Sequence, residues 1–120
     1  MKKLPLGLIG RIMFAIPLAG FGLGHFAKAG QMAGMVPSYL PLPLFFVYVT
    51  GVALLAAVVS ILMQKKAKLA TFLLGIMLLS FALLLHLPGM MGGNEVSMAM
   101  FMKDLALAGS AFFMSSVFKD

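Results

Sequence analysis

Four long apolar runs dominate the sequence and limit the kinds of fold that it can adopt. They cover residues 6–26, 44–63, 69–87 and 96–118. Each has close to the ~20 residues that an α-helix needs to cross ~30 Å of hydrocarbon. Charged residues make up only 10% of the chain, whereas a soluble domain has roughly 25%. The sequence therefore predicts an all-α polytopic membrane protein, an antiparallel bundle of four transmembrane helices that forms one membrane domain over residues 1–120.

Basic residues at the ends of these runs predict the orientation of the bundle. The net charge of +6 does not indicate nucleic-acid binding, because that function needs basic residues on one exposed polar face. Cytoplasmic loops of membrane proteins carry an excess of Lys and Arg, so we expect the side with more lysines, which includes both termini, to be cytoplasmic. That side has Lys2, Lys3, Lys65, Lys66, Lys68 and Lys119, and the other has Lys28 and Lys103.

The first apolar run contains an arginine and has two interpretations. Arg11 lies about five residues inside the run, where a long side chain can extend to lipid phosphates, so we expect it to be a membrane anchor. Alternatively, the run is a secretory signal that is cleaved at Ala27-Lys28-Ala29. The interruptions at Arg11 and Pro17 favour a retained helix, and an intact-mass measurement distinguishes the two.

Polar residues within the apolar runs are the candidates for a functional site, since an ionisable group at membrane depth is costly unless it is paired or hydrated. Lys103 and Asp104 lie roughly 7 Å inside the fourth helix. Adjacent positions point about 100° apart on a helix, so we expect Asp104 to have another partner. We predict an outward-facing ligand pocket; alternatively, these are separate interfacial residues that face headgroups and water. The predicted pocket contains His25, Lys28, His86, Lys103 and Asp104.

The sequence offers little support for a metal, haem or enzyme site. It has no cysteine and so no thiol redox centre. The two histidines are far apart in the chain and belong to no haem or metal motif. The twelve methionines are more typical of gap filling in apolar packing than of Cu(I) binding. No nucleophile elbow, phosphate loop, HExxH or CxxC is present, so the sequence identifies no catalytic residue.

A series of short motifs resembles the DoxX family of small four-helix membrane proteins. The motifs occur in the family's order and spacing and extend over nearly the whole chain. They are Gly10-Arg11, Gly24-His25-Phe26 with Lys28, Met35-Val36-Pro37, Leu40-Pro41-Leu42-Pro43, Tyr48-Val49-Thr50-Gly51, His86-Leu87-Pro88 and Lys103-Asp104-Leu105-Ala106.

This resemblance implies a protein of the bacterial cytoplasmic (inner) membrane that is associated with redox complexes, since the family's namesakes are associated with a thiosulfate:quinone oxidoreductase. Many relatives have a carboxylate in the middle of the second helix. This chain has Val52-Ala53-Leu54-Leu55 there, which implies the loss of any proton-coupled step that depends on that carboxylate.

Three functional hypotheses follow from the residues and the resemblance. The first is a redox accessory subunit with a quinone-type ligand in the outer pocket, where His25, His86 or Asp104 bonds the quinone oxygens. The second is a non-catalytic scaffold or assembly factor that packs against a partner protein, or a homo-oligomer, among the membrane lipids. The third is a small transporter, which is disfavoured because the first helix contains no acidic residue.

Overall fold

The computed structural model describes residues 4–119, and no strand occurs in this part of the chain. Four helical spans are long and apolar enough to cross a membrane. Successive spans are antiparallel, so the prediction of an all-α polytopic membrane protein with a four-helix bundle is confirmed. The helices are α1 (Leu6–Ala27), the short α2 (Ala29–Ala33), α3 (Pro43–Met63), α4 (Ala67–Phe81), a π-helical turn (Ala82–His86), α5 (Leu87–Met91) and α6 (Glu95–Val117).

Local features at the helix ends reverse the chain between spans. The turn after α3 uses left-handed backbone conformations at Gln64, with φ 56°, and at Lys66, with φ 54°. The last helix begins at Asn94, whose side-chain oxygen accepts a 2.9 Å hydrogen bond from the Ser97 N–H. This bond satisfies one of the backbone N–H groups that a helix start leaves without an intrahelical partner.

The third span is longer than the sequence predicted. We expected it to end at residue 87, with Pro88 and Gly89 in the connection, but helix continues through both residues to Met91. The π-helical turn explains the difference, because the Leu87 N–H bonds to the Ala82 carbonyl, five residues back. Pro88 then lies in the first turn of α5, where a missing N–H costs little.

Glycines set the closest contacts between helices. A Cβ atom at Gly51 of α3 would lie 3.0 Å from the His25 Cβ and 3.2 Å from the Gly22 carbonyl oxygen, both on α1. A Cβ atom at Gly75 of α4 would lie 2.7 Å from the Cε1 atom of the Phe112 ring on α6. Small residues allow helices to approach closely in lipid, where apolar side chains gain little by association. The bundle is therefore built from two tight pairs, α1 with α3 and α4 with α6.

The two pairs meet in a shared core, but the bundle is not closed on every side. Within residues 4–119, no Cα atom of α1 lies within 8 Å of a Cα atom of α6. All four spans still contribute to one apolar cluster at the centre. Its buried members are Ala15, Leu18, Leu54, Ala57, Val58, Ile61, Leu74, Leu78, Ala108 and Ala111.

One end of the bundle, which we call the basic end, contains the turn at residues 64–66, the start of α1 and the end of α6. Here the Arg11 Nη1 donates hydrogen bonds to the carbonyls of Ile61, at 3.2 Å, and Leu62, at 3.3 Å. The Lys68 Nζ donates to the Ser115 carbonyl at 2.8 Å. The last carbonyls of a helix have no intrahelical partner, so both cations satisfy the C-terminus of a neighbouring helix. The role of Arg11 as a membrane anchor stays a prediction.

Candidate functional site at the histidine end

The opposite end of the bundle, which we call the histidine end, contains the end of α1, the π-helical turn and the first half of α6. Asp104 of α6 is its most buried charged residue among those described, with 4% of its surface exposed. Its Oδ2 lies 3.3 Å from the His86 Nε2, and its Oδ1 lies 3.5 Å from the Lys103 Nζ. Both carboxylate oxygens therefore have a partner inside the protein. We call His86, Lys103 and Asp104 the Asp104 cluster.

The π-helical turn positions His86 in this cluster. Ala82 and His86, at the two ends of the turn, are both buried, and the turn packs against α6. A π turn accommodates one more residue between hydrogen-bonded groups than an α-helical turn does, and such turns are frequent at functional sites. In this chain the turn brings an imidazole from the third span against a carboxylate of the fourth.

His86 is the second partner that helix geometry predicted for Asp104, and Lys103 also lies close to the carboxylate. The two backbone positions do point in different directions, but the flexible lysine side chain bends back to reach Oδ1. Its Nζ also lies 4.6 Å from the centre of the Phe21 ring of α1, within the range of a cation–π contact. Lys103 thus connects α6 to α1 at a level where the two backbones remain apart.

The remaining predicted site residues differ in their contacts. The His25 Nδ1 donates a 2.6 Å hydrogen bond to the Phe21 carbonyl, one turn earlier on α1. In the neutral ring this bond leaves Nε2 as a hydrogen-bond acceptor. Lys28 lies at the end of α1 with an exposed side chain. Its described hydrogen bonds are those of its backbone, such as the N–H bond to the Gly24 carbonyl, so the structure does not bring Lys28 into the Asp104 cluster.

Phe21 is the site residue that the sequence analysis missed. It contacts Lys103 through its ring and His25 through its carbonyl, so it links the Asp104 cluster to the second histidine. One signal could have identified it. Residues four positions apart share a helix face, and Phe21 precedes His25 by one such step.

The site combines groups that can donate, accept and exchange protons in a mostly dry environment. An imidazole and an ammonium group lie within 3.5 Å of one carboxylate, and a second imidazole is linked through Phe21. Within residues 4–119, no group of three or more His, Cys, Asp or Glu side chains is arranged to hold a metal ion. The cluster offers an ammonium group, an imidazole and a carboxylate as hydrogen-bonding groups.

Two surface grooves lie away from this cluster, toward the basic end. One has a volume of about 430 Å³ and runs between α3 and α4, lined mostly by alanine and leucine. The other has a volume of about 730 Å³ and runs between α1 and α6, with Arg11 and Gln64 among its lining residues. Neither groove includes His25, His86 or Asp104.

Comparison with known proteins identifies a family. A family model described as a domain of unknown function, DUF8561, matches residues 14–101, which is well over half of the chain. The chain belongs to this family. No curated protein and no solved structure matched the chain.

The DUF8561 region runs from near the middle of α1 to the first third of α6. It includes Phe21, His25 and His86, and it ends just before Lys103 and Asp104. The DUF8561 description carries no activity, so it leaves the resemblance to the DoxX family as a prediction.

Proposed function

We propose that the protein is a DoxX-like accessory subunit of a membrane redox complex and that its histidine end binds the head group of a quinone-type ligand. The observation that carries the proposal is the burial of Asp104 against His86. Ionisable residues inside a membrane protein are rare, and they mark ligand and proton pathways more often than they serve packing alone.

The residues around the cluster fit such a head group chemically. The Lys103 Nζ can donate to a carbonyl oxygen of the oxidised form, and the free Nε2 of His25 can accept from a hydroxyl of the reduced form. A quinone would supply the electron chemistry, since the chain has no cysteine and no metal site among its described residues. The protein's own contribution is to orient the head group beside the paired side chains of His86 and Asp104.

Ligand binding can be measured by titrating a short-chain ubiquinone analogue into the protein in lipid nanodiscs and following the heat of binding. We expect Lys103→Ala and His25→Ala each to weaken binding about tenfold, because a hydrogen bond to a charged or buried partner contributes about 1.4 kcal/mol. Lys28→Ala removes a cation from the same end outside the cluster and is the matched control. Wild-type protein that binds no analogue, or equal losses in all three variants, would refute the proposal.

We also propose that the protein lies in the bacterial inner membrane with the basic end in the cytoplasm. The excess of lysines at that end supports this orientation. Because the chain has no native cysteine, single cysteines can report it directly. We expect Gly93→Cys, in the turn at the histidine end, to react with a membrane-impermeant maleimide in intact cells. Gln64→Cys should react only after permeabilisation, and the reverse pattern would show the opposite orientation.

A scaffold role is the second candidate, and one observation favours it. The segment Gly20-Phe21-Gly22-Leu23-Gly24 of α1 contains a GxxxG motif with a third glycine inside it. Gly22 packs against α3, whereas a Cβ atom at Gly20 would meet no atom within 4 Å. An open glycine on a lipid-facing surface allows a partner helix to approach closely. If this role is correct, Gly20→Leu releases a partner that co-purifies with the wild type, whereas Lys103→Ala retains it.

A further inference from the structure

The groove between α1 and α6 is lined by large apolar side chains and is widened by three glycines. Gly7 and Gly10 line it from α1, and Gly109 lines it from α6. A Cβ atom added at any of these three positions would meet no atom within 4 Å. The volume of about 730 Å³ lies in the range of roughly 300–1,000 Å³ that is typical of ligand pockets. The groove can therefore hold a guest without any change in the fold.

The length of the groove identifies the kind of guest. It extends from Leu6 to Phe14 on α1 and from Gly109 to Phe118 on α6, which is about 12 Å along each helix. A transmembrane partner helix would require about 30 Å of contact. A guest of the observed length is confined to one leaflet, as the acyl chain of a phospholipid is.

The polar residues of the groove provide a site for a phosphate group. Arg11 donates to the end of α3 through Nη1, and its Nε and Nη2 donate to no group among residues 4–119. Guanidinium groups bind phosphate through two parallel N–H bonds, and Gln64 lines the same groove with an amide that can bond a headgroup. By sequence, seven of the nine Lys and Arg residues but only one of the three acidic residues, Asp120, belong to the basic end, so the net charge of this end is positive.

We propose that this groove binds one anionic phospholipid of the leaflet at the basic end. The acyl chain lies between α1 and α6, and the phosphate lies on Arg11. This inference does not depend on the quinone-type ligand, because the groove and the Asp104 cluster share no residue. Bound lipid would fill the gap between two helices whose Cα atoms stay more than 8 Å apart.

Native mass spectrometry from a mild detergent can test the proposal by titration with phosphatidylglycerol and phosphatidylcholine of identical acyl chains. We expect the first phosphatidylglycerol to bind about tenfold more tightly than phosphatidylcholine. Arg11→Gln should lose about tenfold in phosphatidylglycerol affinity and most of the selectivity, which corresponds to one charge-assisted hydrogen-bond pair. Inorganic phosphate at millimolar concentration should not displace the lipid, because the acyl chain contributes most of the contact.

A second variant tests the groove without altering Arg11. Gly109→Leu fills the groove and should weaken the binding of both lipids, while the bonds from Arg11 to α3 remain. Gly20→Leu is the matched control, since its side chain also enters open space on α1 but outside the groove. The proposal is wrong if the wild type does not select phosphatidylglycerol, if free phosphate displaces the lipid, or if Gly20→Leu and Gly109→Leu weaken binding equally.

Discussion

The contact between His86 and Asp104 should contribute measurably to the stability of the bundle, and a double-mutant cycle can quantify it. At the observed 3.3 Å, two full charges would attract by about 5 kcal/mol at an effective dielectric constant of ~20. Desolvation offsets most of this gross energy. Polar contacts between membrane helices have measured coupling energies that average about 0.6 kcal/mol, with a maximum near 1.7 kcal/mol. Because both side chains are more than nine-tenths buried, we expect a coupling of about 1.5 kcal/mol.

The cycle uses Asp104→Asn and His86→Gln, which keep polar groups of similar size. We expect each variant to lower the free energy of unfolding by about 2 kcal/mol, and the double variant to lower it by about 2.5 kcal/mol rather than 4. Titration of mixed micelles with dodecyl sulfate, followed by circular dichroism, measures these energies. His25→Gln paired with Asp104→Asn is the control and should be additive. Additivity of the His86 pair within about 0.3 kcal/mol would refute the reasoning.

Three further changes test the packing and the helix ends by the same unfolding measurement. Gly51→Ala should destabilise the protein by about 1–3 kcal/mol through overpacking, whereas Gly20→Ala, in open space, should be neutral or slightly stabilising. Lys68→Ala should cost about 1 kcal/mol and speed hydrogen exchange in the last turn of α6, because it removes the bond to the Ser115 carbonyl. Lys66→Gly should stabilise by about 0.5–1 kcal/mol, because φ is 54° at this position; a loss of stability would contradict this account.

The fold was predictable because hydrocarbon thickness fixes the length of each span. The starts and ends of three spans could be located within a few residues from the apolar runs alone. The third span was misjudged because Pro88 and Gly89 ordinarily end a helix. A π-helical turn continues the helix at this point through a hydrogen bond from the Leu87 N–H to the Ala82 carbonyl, five residues back. The residues of this turn contain no pattern that predicted it.

Prediction of the candidate site depended on topology more than on motifs. An up-down bundle brings the end of the third span and the start of the fourth to the same end, which is why His86 could be grouped with Asp104 from the sequence. The expectation that Asp104 has a partner other than Lys103 is confirmed by His86. The additional approach of Lys103 depends on the length of its side chain, which backbone directions do not show. Pairing of Arg11 with the end of α3 could not be predicted either, since it depends on how α1 and α3 are aligned.

The charged residues that contact a neighbouring helix include two kinds with different roles. Arg11 and Lys68 bond to carbonyl groups at the ends of neighbouring helices, and these contacts satisfy groups that every helix end exposes. Asp104 lies within α6 and satisfies no helix end. Apolar side chains of similar volume often replace a buried ion pair without loss of stability, so packing alone does not explain a carboxylate at this position. A role in the ligand site proposed above would account for it, since the buried pair offers hydrogen-bonding groups to a polar head group.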